Sequence, residues 1–290
     1  MSEMKRIGLI SKVLKVLTLS IFAHVVVLQG LAQDQDTIPS EGSYLSFGQP
    51  EIEDNSFFIE EAFNQRMGVL QHIFNVYLDD LHPGVVSYAF TQEIPLTDQG
   101  HQLSYSISYQ TIAAADSTTA RVAGLGDLYI TYRPMITDGS QWAMCIPRLT
   151  LILPTGKSSD GLGGGAFGLQ LAIAVTKRIS RGLVTHYNIG STTFFQRDRY
   201  ASVNGEHKLV YERNVSDQNA GVGVVWIARP KLNFLVEGLA SRNSLIRDDG
   251  VVVHEWQYMI NPGVRFSITT KRMQLVPGVS FPINPVIRSC

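Results

Sequence analysis

The feature that most constrains this chain is an alternation of side-chain character that holds for about ten residues at a time. In Leu103-Ser-Tyr105-Ser-Ile107-Ser-Tyr109 every odd position is apolar or aromatic and every even position is Ser. A helix would scatter those residues around its surface, whereas a strand sends each set to one face. Phe167-Gly-Leu169-Gln-Leu171-Ala-Ile173-Ala-Val175, Val86-Ser-Tyr88-Ala-Phe90, Leu128-Tyr-Ile130-Thr-Tyr132 and Leu232-Asn-Phe234-Leu-Val236 repeat the pattern.

Read with a period of two, the chain holds strands near 69–78, 84–94, 101–110, 125–135, 142–154, 165–177, 181–194, 219–228, 231–241, 253–268 and 271–282. Each is about ten residues or more, against the five or six usual in soluble sheets and the 9–11 of a tilted membrane strand. Pro147, Pro262 and Pro277 fall inside them, where each removes a ladder donor and marks a bulge or a rim. Short links near 95–100, 136–141, 178–180, 229–230 and 269–270 alternate with longer polar ones at 111–124, 155–164, 195–218 and 242–252. Short turns at one end and long loops at the other are the layout of outer-membrane barrels; a soluble sandwich has no reason to segregate them. The fold expected is all-β, a transmembrane antiparallel up-and-down β-barrel over residues 68–283. Open edges in lipid would leave backbone groups unpaired, so such a sheet must close. A secreted soluble β-protein is the alternative. A mean hydropathy of only +0.05 fits the barrel, because half of each strand avoids lipid.

Residues 1–32 read as a cleaved secretory signal. Lys5, Arg6, Lys12 and Lys15 precede an apolar run from Val16 to Leu28, interrupted by His24, and Gly30 and Ala32 place small residues before a cut at Gln33. The run is about 13 residues, short of the ~20 of a spanning helix, and no Cys follows it for lipid anchoring. Residues 33–67 form a separate N-terminal segment, either a plug or periplasmic foot at the barrel mouth, or a tether into the first strand. Within it Ser56 could cap a short helix with Ile59 and Phe63 on one stripe. Asn55, Phe58, Glu60, Glu61 and Gln65 are its candidate plug residues.

A net charge of −1 offers no basic field for nucleic acid. Cys145 and Cys290 have no metal-type spacing. Gly163-x-Gly165-x-x-Gly168 matches a dinucleotide fingerprint on paper but opens a strand, not a helix. His254-Glu255 lacks a second His at position 258, which is Tyr. A Ser–His pair across strands, involving His186, is conceivable, yet nothing selects it. No catalytic, cofactor or metal residues are assigned, and the chain reads as a non-enzyme. Gly124, Gly126 and Asp127 are either a loop-base turn shaping the mouth or a bulge needing Gly freedom. The residues expected to line a lumen are Gln102, Ser104, Ser106, Gln170, His186, Asn188, Asn233 and Glu237. As a lone inward acid, Glu237 could be solvated or paired with an inward Arg.

Asp54-Asn-Ser-Phe-Phe-Ile-Glu-Glu-Ala-Phe-Asn-Gln65, Gly68-Val-Leu-Gln-His-Ile73, His101-Gln-Leu-Ser-Tyr105, Gly124-Leu-Gly-Asp127, Leu153-Pro-Thr-Gly156 and Gly278-Val-Ser-Phe-Pro-Ile283 together resemble a bacterial outer-membrane transporter family. It is the family named after the meta-pathway of phenol degradation. The resemblance implies an outer-membrane barrel that passes small, often hydrophobic or aromatic compounds, with a small-molecule solute and membrane lipid as partners. Members of that family run through one further strand, whereas this sequence ends in the tail 284–290. The expectation is therefore a twelve-strand design with the last strand missing or replaced, or with residues 43–48 supplying it. Two functions from different classes follow: a channel or transporter, or a non-conducting structural or adhesion barrel working through its long loops. The solute and the oligomeric state stay open.

Overall fold

Fourteen strands form one antiparallel sheet in a computed structural model that describes residues 20–28, 52, 56–79, 85–113, 121–203, 206–270 and 273–284. They are β1 (Ser20–Leu28), β2 (Val69–Asp79), β3 (Val85–Pro95), β4 (His101–Ile112), β5 (Val122–Pro134), β6 (Thr137–Asp138), β7 (Met144–Leu153), β8 (Phe167–Ser180), β9 (Leu183–Val203), β10 (Glu206–Arg229), β11 (Leu232–Ile246), β12 (Val252–Phe266), β13 (Ile268–Thr269) and β14 (Met273–Ser280). β6 and β13 are two-residue strands that accompany β7 and β14. The other twelve pair with their neighbours in chain order, and β1 pairs with both β2 and β14, closing the ring. The result is an up-and-down barrel with an even number of long strands.

All eleven strands expected from the alternation are present as β2–β5, β7–β12 and β14. The closing strand lies elsewhere than expected. Ser20–Leu28, part of the apolar run read as a signal, fills the slot between β14 and β2, with Ala23 opposite Phe74 on one side and Pro277 on the other. Residues 43–48, the rival closing segment, and the tail 285–290 lie outside the described residues.

The barrel is inverted relative to a soluble protein. Leu171, Ile173, Ile189, Val222, Val224 and Val236 are exposed on the outer face, while Gln71, Gln102, Thr150, Thr176, His186, Asn233 and Glu237 are buried inside. That distribution is stable only where the outer solvent is lipid, since an apolar band of this extent would otherwise drive association. Rings flank the band at two levels. Trp226 stacks with Phe234 near the short-turn end. Phe167 stacks with Phe195, and Trp256 with Tyr258, near the opposite end. Two such girdles are the aromatic belts of a membrane barrel.

Three further expectations are corrected. Residues 195–218 are mostly strand and not loop: β9 runs 21 residues and β10 runs 24, so their hairpin projects well beyond the ~9–11 residues that cross a membrane. Its edge irregularity is absorbed by bulges at Leu209/Tyr211 and Arg213/Val215. Similarly, β11 and β12 shorten the 242–252 loop to residues 247–251. The prolines sit inside strands yet cost few ladder bonds. Pro147 lies outside the stretch of β7 that pairs with β5, and Pro262 and Pro277 flank the short β12–β14 pairing of Gly263–Arg265 with Gly278–Ser280. The third correction, to the helix expected after Ser56, concerns the lumen.

Candidate functional site

Residues 56–66 form no helix. They run inside the barrel as irregular chain, passing β12, β11, β10, β9, β8, β5 and β4 before turning at Met67-Gly68 into β2. A helix would have paired its own amides four residues apart; here the wall takes them instead. The N–H groups of Phe57 and Ile59 donate to Glu237 Oε1 at 2.8 and 3.0 Å, and that of Phe58 to both carboxylate oxygens. Asn261 Nδ2 donates to the other oxygen at 2.7 Å. Next, Glu60 N–H meets Asn188 Oδ1 at 2.7 Å and Asn188 Nδ2 returns a bond to Glu60 O at 2.9 Å. Ala62 N–H donates to Thr176 Oγ1 at 2.8 Å, and Gln65 N–H to Gln102 Oε1 at 2.7 Å. Carbonyls are held in the same way: Arg265 donates to Ser56 O, and Arg133 to Glu61 O and Phe63 O.

The register of the wall explains how distant residues meet the segment in sequence. Thr176, His186, Gly223, Glu237 and Asn261 lie opposite one another across β8, β9, β10, β11 and β12. This inward row crosses the strands at one level, and residues 57–62 follow it. A buried amide left without a partner costs about 1–3 kcal/mol, so the row is matched to backbone and not only to side chains. Glycines supply the room. A Cβ on Gly221 would overlap Ile59 Cδ1, and one on Gly263 would overlap the Phe57 ring. Gly223 is looser, its added Cβ falling 3.5 Å from Ile59.

Charged side chains complete the contact. Glu60 is ion-paired with Arg148, and Arg148 Nη2 also donates to Gln170 Oε1. Glu61 lies 3.8 Å from His186 Nε2, whose Nδ1 sits 2.8 Å from Thr176 Oγ1. Arg133 lies 3.6 Å from Glu93.

Of the residues expected to line a lumen, Gln102, His186 and Glu237 are covered by the segment, each 1% exposed or less. Asn188 holds it, and Asn233 is buried four residues before Glu237 on β11. Ser104, Ser106 and Gln170 face an open chamber beside the segment, about 370 Å³ in volume. Its wall is hydroxyl- and amide-rich: Thr91 Oγ1 meets Ser106 Oγ at 2.6 Å, and Thr131 Oγ1 meets Thr150 Oγ1 at 2.8 Å. Phe58, Glu60, Glu61 and Gln65 line it from the segment's side; Asn55 lies outside the described residues. Sequence reasoning missed Thr176, Arg133, Arg148, Asn261 and Arg265. The signal available was an inward-phase Arg in an alternating strand, and Gly inside a strand, which marks close approach of another backbone.

At the other end Asp127 gathers a loop. Gly126 and Asp127 together oppose Ser108, between the Ile107–Leu128 and Tyr109–Leu125 pairs, so the bulge of one extra residue is present. It aims the buried Asp127 carboxylate at two amides of loop 154–166, Gly156 N–H at 3.0 Å and Gly164 N–H at 2.8 Å. Thr155 Oγ1 donates to Gly126 O at 3.0 Å, and Leu162 is buried beneath the loop. The Gly163–Gly168 motif thus begins in a carboxylate-held loop and ends in β8, which starts at Phe167.

No family model matches the chain, and no curated protein does. Among solved structures, the crystal structure of an outer membrane channel from Pseudomonas putida F1 aligns with 92% of this chain and 95% of its own, at 10% identity and a TM-score of 0.47.

Proposed function

We propose that this protein is an outer-membrane channel for small solutes, held closed by residues 56–66 at its short-turn end. The observation that supports this reading is how the segment is bonded. Its amides are satisfied by wall side chains (Glu237, Asn188, Thr176, Gln102) and not by a helix or ladder of its own. It can therefore leave the lumen and exchange those bonds for water without breaking any strand pairing. Even the eleven long strands that remain without β1 enclose more than the eight that side chains alone fill. Selectivity would follow from lining charge and radius. The hydrophobic or aromatic solutes implied by the family resemblance would meet aromatic surface mainly on the segment itself, at Phe57, Phe58 and Phe63.

Single-channel recording in planar bilayers tests this, using the refolded chain with and without residues 33–67. Steps that appear or become frequent only after the deletion are expected. Silence from both, with a β-rich inserted protein, would defeat the channel and favour a scaffold, for which the projecting β9–β10 hairpin is the specific support.

Export rests on residues 1–32, which in this reading are cleaved before Gln33. The intact mass of the protein extracted from outer membranes is expected to begin at Gln33, leaving β2 and β14 to meet without β1. A mass that retains Ser20–Leu28 would instead make β1 a permanent wall strand.

A further inference from the structure

We propose that the chamber beside the segment is a binding site for a small organic carboxylate, which competes with Glu60 for Arg148 and so loosens the segment. This deepens the channel reading and rests on it. The chamber's volume, about 370 Å³, falls within the roughly 300–1,000 Å³ of small-molecule sites.

Two cations border it, and they differ in kind. Arg133 is committed to the segment's backbone, donating to Glu61 O and Phe63 O, with Glu93 beside it. Arg148 instead binds a carboxylate. Its guanidinium is mostly buried, fixed on one side by Gln170, and its charge partner is Glu60, which is 39% exposed. Planar guanidinium is the group best matched to a carboxylate, and Glu60 already occupies that position. Among the described residues Arg148 Nε has no hydrogen-bond partner, so the fork has capacity beyond the bonds it makes. The surrounding groups suit the rest of such a molecule: Thr131, Thr150 and Ser104 offer hydroxyls near the head, and Phe58, Phe63 and Ile73 offer apolar surface for a tail. The acids facing the same space, Glu60, Glu61 and Glu93, are each placed against a cation or His186. A free carboxylate therefore meets least repulsion where it replaces Glu60.

Displacement of Glu60 removes one side-chain anchor next to its two backbone bonds with Asn188. Ligand binding and segment release are then linked, each favouring the other by the same factor.

The test is calorimetric titration of the refolded full chain with hexanoate and with hexanamide, which differ in charge and not in length. Hexanoate is expected to bind and hexanamide not. Glu60→Gln, which alters only the segment, is expected to tighten hexanoate about tenfold by removing the internal competitor, and Arg148→Gln to abolish binding. Equal binding of the amide, or unchanged affinity in Glu60→Gln, would overturn the proposal. Because Glu60→Gln is a gain of affinity, misfolding cannot imitate it. If the 33–67 deletion conducts while Glu60→Gln changes nothing, the channel stands and the carboxylate site falls. If the deletion is silent while the titrations follow the expected pattern, the site stands and the channel falls.

Discussion

The wall and the lumen segment of this barrel are specified in opposite ways. Each wall strand is written locally: residue i and residue i+2 share a face, and ten residues of alternation define one crossing. The segment 56–66 has no such code. Its conformation is set by partners 128 residues away for Glu60 and 180 away for Phe57. It is held by side chains that the wall's inward phase leaves free. The comparison teaches that the barrel folds from its own pattern while the segment is an accessory to it. On the channel reading proposed above, changes in the segment's sockets should therefore alter conductance far more than they alter the wall.

The largest effect is expected at Glu237. Its carboxylate takes three consecutive amides and Asn261. Charge-assisted bonds of this kind are worth about 1.5–3 kcal/mol each. Glu237→Ala should remove at least about 3 kcal/mol of segment binding, raising the open fraction about a hundredfold. Planar-bilayer recording reads this directly, and heat-modifiability on gels should show the barrel intact. A closed and unaltered Glu237→Ala channel would mean that the segment is held elsewhere.

A smaller, steric effect separates two neighbouring glycines. Gly221→Val places atoms where Ile59 sits, and overpacking of this type costs about 1–3 kcal/mol. Gly223→Ala meets only ordinary contact at 3.5 Å and should be silent. Adding Ile59→Ala to Gly221→Val should return the channel to its closed state, a coupling that a double-mutant cycle measures. If the two glycine variants behave alike, the recess is not fitted to Ile59.

The same contrast explains what was legible from sequence. β4 and β8 could be read to within a few residues because Ser104, Ser106 and Gln170 alternate with Leu103, Tyr105 and Leu169. The lumen-facing phase of Gln102, His186, Asn188 and Glu237 could be read for the same reason. What they hold could not. Ser56 followed by Ile59 and Phe63 satisfies the local rules for a helix start, and only the competing bonds from Glu237 and Thr176 overrule them. The length of the β9–β10 hairpin was hidden differently. Polar residues such as Gln196, Asp198 and Asn214 read as loop, but beyond the membrane a hairpin has no apolar face to display. The strand β1 was obscured because its apolar run meets the requirements of a signal segment.

The mildest effect should come from the opposite end, where Asp127 repeats the device of Glu237 on a smaller scale. Both are buried carboxylates that capture backbone amides of a non-strand segment, but Asp127 holds two, from Gly156 and Gly164. Its loop also has independent ties, including Ser158 Oγ to Asp198 Oδ2 at 2.9 Å and buried Leu162. Asp127→Asn keeps an acceptor for one amide and loses the charge, so a local cost of about 1–2 kcal/mol follows. The expected outcome is faster proteolytic nicking within residues 157–165, with barrel melting unchanged and the closed state at the other end retained. Nicking unaltered by Asp127→Asn would place the loop's stability in Leu162 packing. A change in segment release would mean that the two carboxylate sockets communicate through the barrel, which their separate strands and separate loops give no reason to expect.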